Sequence, residues 1–386
     1  MDYWTTIDAI YNTTLSFSFF ILMVLMIHVG RKGLNARNRY GGTSTILCGI
    51  LFLVFGFVNS IARFFPYPYN GFMVWWIWIN LVISMVFALL VKRQVKKLKL
   101  TSSELDLLNN NFKKKTKLLR YVERMTKENP YREDITFKME LIRKSFHLMG
   151  FLLVLAFFGW YPFLFPVTRI VSDSVIFLIE QIKPAYEFVW GPITLFPHST
   201  GEFQAIVDLT MMALIGALIF ALISDLIRII WGPEYSLFNF LTKSMLRNKE
   251  INAAGPQIYI ITGFIFSYML YMADLVHIAA IFSGVLIACL SDAAAALIGR
   301  RYGKHKIKVR SNDMKSVEGF LAGILVAYII GLIIVGPVYA LIGSIIFFLT
   351  DYFPRYTADN LLNPILIPIG IQLFIVLLRL PVGWFF

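Results

Sequence analysis

Charge is scarce in this chain. Asp, Glu, Lys and Arg make up 15% of its 386 residues, whereas 58% are hydrophobic. Soluble domains carry about 25% charged and 45–50% apolar residues, so a water-soluble globular chain is excluded and an all-α, polytopic membrane protein is predicted. Cysteine is scarcer still: Cys48 and Cys289 both sit inside apolar runs, which excludes a disulfide framework. No basic residue precedes the first apolar run, where Asp2 and Asp8 stand instead, so no secretory signal peptide is expected. There is no internal repeat or low-complexity tract, and no GxxxxGK[ST] sequence, which excludes a soluble P-loop design. Acid is the rarer sign, 23 residues against 36 basic ones, for a net charge of +13. In a membrane chain that excess reads as cytoplasm-facing loops meeting the anionic headgroups of the bilayer, not as nucleic-acid binding.

What is abundant is long apolar sequence. About ten segments approach spanning length, taking roughly 20 residues per span: 13–30, 45–62, 71–91, 148–166, 205–229, 256–273, 275–298, 317–335, 337–351 and 361–379. The ninth is short enough to be re-entrant. With both termini outside, only Arg63, Arg169, Lys183 and Arg379 of the 36 basic residues face outward. The positive-inside bias therefore sets the orientation. Three portions follow: a three-span region 1–91, a cytosolic helical linker 92–138 and a seven-span region 139–386. In the linker, Leu98, Leu105, Leu108, Phe112, Leu119 and Val122 recur at helical spacing. Asn12-Thr13-Thr14 fits a glycosylation sequon but lies too near the first span to carry weight.

Five constellations of charged residues could do chemistry. Glu140, Lys144 and His147 share a helical face, and Arg143 neighbours His147 at i, i+4. Asp225 and Arg228 close the inner end of the fifth segment, either as a self-satisfied ion pair or as catalytic groups. Arg247 to Glu250 form a polar loop leading to Gly255-Pro256. The fourth constellation is the most informative: Ser291-Asp292 through Gly299 to Gly303-Lys304, followed by Lys315-Ser316-Val317-Glu318-Gly319. Asp292, Ala295 and Gly299 share one face, where small residues allow a close approach. Lys304, Lys306, Lys308 and Arg310 alternate, as in a short extended or hairpin segment with one basic face. Ser316 is placed to cap the next helix, whose positive end together with Lys315 would attract phosphate. Asp359-Asn360 precede the last span. All five lie on the side predicted to be cytosolic, and that convergence points to a nucleotide or phosphate site at the membrane face.

Arg143-Lys144-x-x-His147-x-x-Gly150, Asp292-x-x-Ala295-x-x-x-Gly299-x-x-x-Gly303-Lys304, Lys315-Ser316-x-Glu318-Gly319 and Asp359-Asn360 resemble the membrane family of dolichol kinases, phytol kinases and CTP-dependent diacylglycerol kinases, which is related to the phosphatidate cytidylyltransferases. The resemblance covers about residues 139–380. It departs at Ser291, where the family usually has Gly, and at Phe320, where a small hydroxyl residue is common. The resemblance implies transfer of the CTP γ-phosphate to the hydroxyl of a membrane lipid alcohol. The length of the chain leans the acceptor toward a polyprenol. The implied nucleotide residues are Gly299, Gly303, Lys304, Lys315, Ser316, Gly319 and Asn360. The implied ligands for Mg²⁺ or another divalent cation are Asp292, Glu318 and Asp359. His147 or Asp225 would accept the proton, and Arg143, Lys144 and Arg228 would stabilise the transferred group. A cytidylyltransferase would use much the same site, and a transporter is the reading from another class. No feature of the sequence specifies an oligomeric state.

Overall fold

The computed structural model describes residues 3–64, 69–105, 117–126, 203–240, 252–308, 314–353 and 356–383, with isolated positions in 137–145, 177–188 and 243–246. The helices are α1 (Tyr3–Asn35), α2 (Arg39–Ala62), α3 (Tyr69–Leu105), α4 (Lys117–Thr126), α5 (Phe203–Ile230), α6 (Pro256–Met272), α7 (Ile278–Tyr302), α8 (Val317–Ile334), α9 (Pro337–Tyr352) and α10 (Asp359–Leu378). Among the described residues, seven are long and apolar enough to cross a membrane, while α9 is a shorter apolar helix. The chain is thus an all-α integral membrane protein. The expected span 148–166 lies outside the described residues. α3 continues unbroken past position 91 to Leu105, so the expected start of the linker falls within a helix.

Helix packing here sorts side chains by size more than by polarity. On α8, Gly319, Gly323, Ala327 and Gly331 are buried, while Leu321, Leu325, Ile329 and Ile333 are exposed toward lipid. Without a hydrophobic drive between helices in a bilayer, small faces win the helix contacts because they maximise van der Waals approach. α10 carries Pro364 and Pro368 inside the helix. Proline at position i removes the bond to the carbonyl at i−4. The Pro364 carbonyl left over by Pro368 accepts instead from Ser267 Oγ on α6, as a dry interior requires. Pro368 itself fills the space over Gly284 of α7, where a methyl group would stand 2.3 Å from its Cγ. Gly336, at φ +87°, turns α8 into α9 ahead of Pro337.

Polar contacts fasten the two ends of the bundle. At one end Asn59 Nδ2 donates to Asn12 Oδ1 at 3.0 Å and to Ser16 Oγ at 2.8 Å. Asn12 is buried there, so the sequon is used in packing. At the other end lie the start of α2, the end of α5, the starts of α6, α8 and α10, and the end of α7. α4 bears on this end: Val122 and Met125 are buried, and Tyr121 Oη donates to the Leu237 carbonyl at 3.2 Å. Burial pushes the Tyr121 phenol up to about 12, which keeps it a donor.

Candidate functional site

The end of α7 is shaped by a π-helical turn, Ile287–Ser291, immediately before Asp292. One extra residue in a turn rotates everything after it, and such turns recur at functional sites. Asp292 consequently meets Lys144 Nζ in a direct ion pair, with 5% of the lysine side chain and 18% of the aspartate side chain exposed. One turn before Lys144, Glu140 is fully buried. It binds Arg143 at 2.7 Å and Arg300, from the last turn of α7, at 3.2 Å. The first and fourth sequence constellations are therefore joined by two neighbouring sets of ion pairs, Lys144 with Asp292 and Glu140 with Arg143 and Arg300. His147 lies outside the described residues.

Beyond α7 the chain forms the expected hairpin. β1 (Lys306–Lys308) runs antiparallel to β2 (Met314–Ser316), with Ile307 opposite Lys315. Lys304, Lys306 and Lys308 are exposed. Ser316 caps α8: its Oγ accepts from Gly319 N at 3.1 Å. Gly299, Gly303 and Gly319 crowd together around this cap. A methyl group on Gly319 would stand 2.4 Å from the Ala295 carbonyl oxygen and 2.7 Å from Gly299 Cα. These glycines bring α7 and α8 into backbone contact, so the basic hairpin is held tightly against the start of α8.

Lys315 reaches α9. Its Nζ bonds both the carboxylate and the carbonyl oxygen of Asp351, the latter at 2.9 Å. Asp351 is 2% exposed. Sequence reading missed it, because an acid at the end of a short apolar segment looks like a boundary residue. An acid one turn from the next polar loop was the available signal. Asp359 begins α10 and accepts from Tyr40 Oη at 3.3 Å and from Asn360 N at 3.0 Å. The charges of Asp292 and Asp359 both act on Asp351, so the three acids lie in one electrostatic neighbourhood.

Glu318 turns elsewhere. It accepts from His305 N at 3.2 Å and pairs with His305 Nδ1 at 2.7 Å, clamping the hairpin to α8. Asp225 is buried, accepting from Arg228 Nε at 3.0 Å and from Gly255 N at 2.7 Å, while Arg228 also donates to the Ala253 carbonyl at 3.0 Å. That pair pins the loop entering α6. Arg247 and Glu250 lie outside the described residues. Among the described residues, no group of three or more His, Cys, Asp or Glu is arranged to hold a metal ion. Mg²⁺ arriving with a nucleotide needs only one or two carboxylates, and Asp292 and Asp359 meet that requirement by donor chemistry.

The model of the cytidylyltransferase family matches residues 132–376, more than half of the chain. Two CTP-dependent diacylglycerol kinases are similar to it. That of Saccharomyces cerevisiae is 33% identical over 143 residues, 37% of this chain and 44% of the relative. That of Eremothecium gossypii is 30% identical over 122 residues, 32% of this chain and 35% of the relative. The chain thus matches less than half the length of either relative. No solved structure matches. The extent of the family match, over the segment that carries both sets of ion pairs, shows that the chain belongs to the cytidylyltransferase family.

Proposed function

We propose that this protein is a CTP-dependent lipid kinase. It would move the γ-phosphate of CTP to the hydroxyl of a membrane lipid alcohol, leaving CDP and a lipid phosphate. The observation that carries the reading is the meeting of Lys144 with Asp292. It joins two motifs far apart in the chain, both inside the segment that the family model matches. Phosphoryl transfer is mostly positioning and charge neutralisation, and a cluster of buried cations paired to acids supplies both. Lys144, Arg143 and Arg300 neutralise the transferred group. Lys304, Lys315 and the capped start of α8 receive the triphosphate. Asp292 and Asp359 would hold Mg²⁺, whose charge lowers the repulsion among phosphate oxygens when it is bound. His147 accepts the hydroxyl proton, and Asp225 with Arg228 holds the neighbouring loop in place. The site faces the cytosol, where CTP is found.

Diacylglycerol is the acceptor we favour over a polyprenol, because both similar proteins are named for it. The second reading is transfer of the cytidylyl group to phosphatidate with release of pyrophosphate, favoured by the family's own description. The experiment uses purified protein in mixed micelles with γ-labelled CTP, Mg²⁺ and a panel of diacylglycerol, dolichol, geranylgeraniol and phosphatidate. Label entering the lipid phase with diacylglycerol supports the reading. Label in dolichol instead moves the acceptor to a polyprenol. Label released as pyrophosphate, only with phosphatidate, replaces the kinase by the transferase.

A further inference from the structure

The family match begins at residue 132, so α1, α2 and α3 lie outside it. Yet the first two turns of α2 form a polar seam with the segment leading into α10. The Arg39 guanidinium lies 5.9 Å over the Tyr356 ring. Thr43 Oγ1 donates to the Tyr356 carbonyl. Ser44 Oγ accepts from Ala358 N at 2.8 Å, and Tyr40 Oη donates to Asp359 Oδ1 at 3.3 Å. The seam continues to the start of α6. There Thr45 Oγ1 accepts from Ala254 N at 3.2 Å, and Tyr259 Oη donates to the Gly41 carbonyl at 3.2 Å. α1 adds a bond from Lys32 Nζ to the Ile229 carbonyl at 2.7 Å.

Helices that only anchored the chain in lipid would need apolar contacts alone. Here Ser44 and Thr45 are completely buried, and their hydroxyls satisfy backbone groups of loops that would otherwise lie bare in a dry interface. The Tyr40 bond differs in kind, because it ends on a carboxylate. The same Asp359 oxygen also accepts from Asn360 N. Two donors converging on one oxygen fix the rotation of that carboxylate at the head of α10. A hydrogen bond to a charged group is among the stronger ones.

We propose that the N-terminal helical hairpin is a working part of the nucleotide site, and that Tyr40 is a positioning residue for Asp359. The proposal rests on the CTP-dependent reading above. The test is a double-mutant cycle on the full chain in detergent: the unaltered protein, Tyr40→Phe, Asp359→Asn and the double variant. CTP binding in the presence of Mg²⁺ is measured by titration calorimetry, and melting temperature is followed in parallel. Tyr40→Phe is expected to weaken CTP binding about tenfold at an unchanged melting temperature, and to have no further effect in the Asp359→Asn background. Equal affinities in the unaltered protein and Tyr40→Phe overturn the proposal. So does a Tyr40→Phe effect of the same size in both backgrounds, or one that tracks a fall in melting temperature. Lipid phosphorylation by the same four proteins separates the two readings. An unaltered protein that binds CTP but phosphorylates no lipid removes the kinase reading and leaves the cycle standing. One that binds no CTP removes both.

Discussion

Lys144 and Asp292 stand 148 positions apart and meet in an ion pair beside the second half of α7. Neither residue is costly to place at a membrane interface alone. Together, with little solvent exposure, each becomes the condition for the other, because a charge left unpaired in such a site is strongly unfavourable. Arg143, Glu140 and Arg300 extend the same alternation of sign. An incoming phosphate would exchange one set of anionic partners for another without exposing a bare cation.

Asp292→Asn is expected to reduce turnover about 10²–10³-fold, the loss typical when a charge-stabilising group is removed from an active site. Lys144→Met removes the other partner and should lower stability by about 1–3 kcal/mol, since the half-buried Asp292 carboxylate loses its lysine. The charge-exchanged double variant, Lys144→Asp with Asp292→Lys, should recover much of the melting temperature but none of the activity. Turnover at the unaltered level in Asp292→Asn would break the assignment.

Asp351 is expected to act through Lys315. Asp351→Asn keeps the shape but removes the negative charge that holds the lysine. CTP affinity should fall about tenfold, the scale of one charge-assisted bond. Lys315→Met should show a similar loss, and the two effects should not add. Additive losses would mean that the acid and the lysine serve separate tasks.

The contact of α7 with α8 sets a steric limit. Gly319→Ala places a methyl group against backbone on two sides, where no flexible side-chain tip can yield. It should destabilise by about 1–3 kcal/mol and displace the hairpin, with loss of CTP binding. Gly216→Ala is the control. Its methyl group would meet nothing nearer than the Trp76 ring at 3.7 Å, and alanine is the better helix former. Its melting temperature should hold or rise slightly. A tolerated Gly319→Ala would show that the two helices can part without consequence.

His277 caps the start of α7, its Nδ1 accepting from Ala279 N at 3.2 Å. Burial holds its pKa below the ordinary value of 6.5. Protonation would abolish the acceptor and set a positive charge on the positive end of a helix. The stability contributed by the neutral ring is therefore complete above pH 6.5. It is lost as pH falls through that value toward the lowered folded pKa. Thermal unfolding in detergent at pH 7.5 and 5.5 should show this decline, and His277→Asn, a good cap that does not titrate, should flatten it. An equal decline in the variant would assign the pH dependence to another group.

Much of the fold was legible because membrane segments announce themselves locally. Run length and the placement of Lys and Arg locate α1, α2 and α5 without any tertiary information. Ser316 as a cap and the alternating lysines before it were equally local, and both are observed. The site was legible only in part. Asp292, Lys144, Lys315 and Asp359 stood out as charges at segment ends. Asp351 did not, because the lysine that explains it lies on another helix. The resemblance assigned Gly319 to the nucleotide, and only the structure shows that it also lets α7 and α8 approach closely.

The amino-acid sequence by itself determined the class of molecule, the approximate limits of most helices and the segment ends where charged motifs gather. Tertiary structure decided which carboxylate meets which lysine. It decided that Pro368 fits over Gly284, that Ser267 serves the Pro364 carbonyl, and that a segment outside the family match reaches Asp359. The physical reason is that lipid and helix surfaces are equally apolar. Hydropathy therefore says where a helix lies in the membrane but not which neighbour it has. Neighbours are chosen by the fit of small residues and by the few polar groups that need partners.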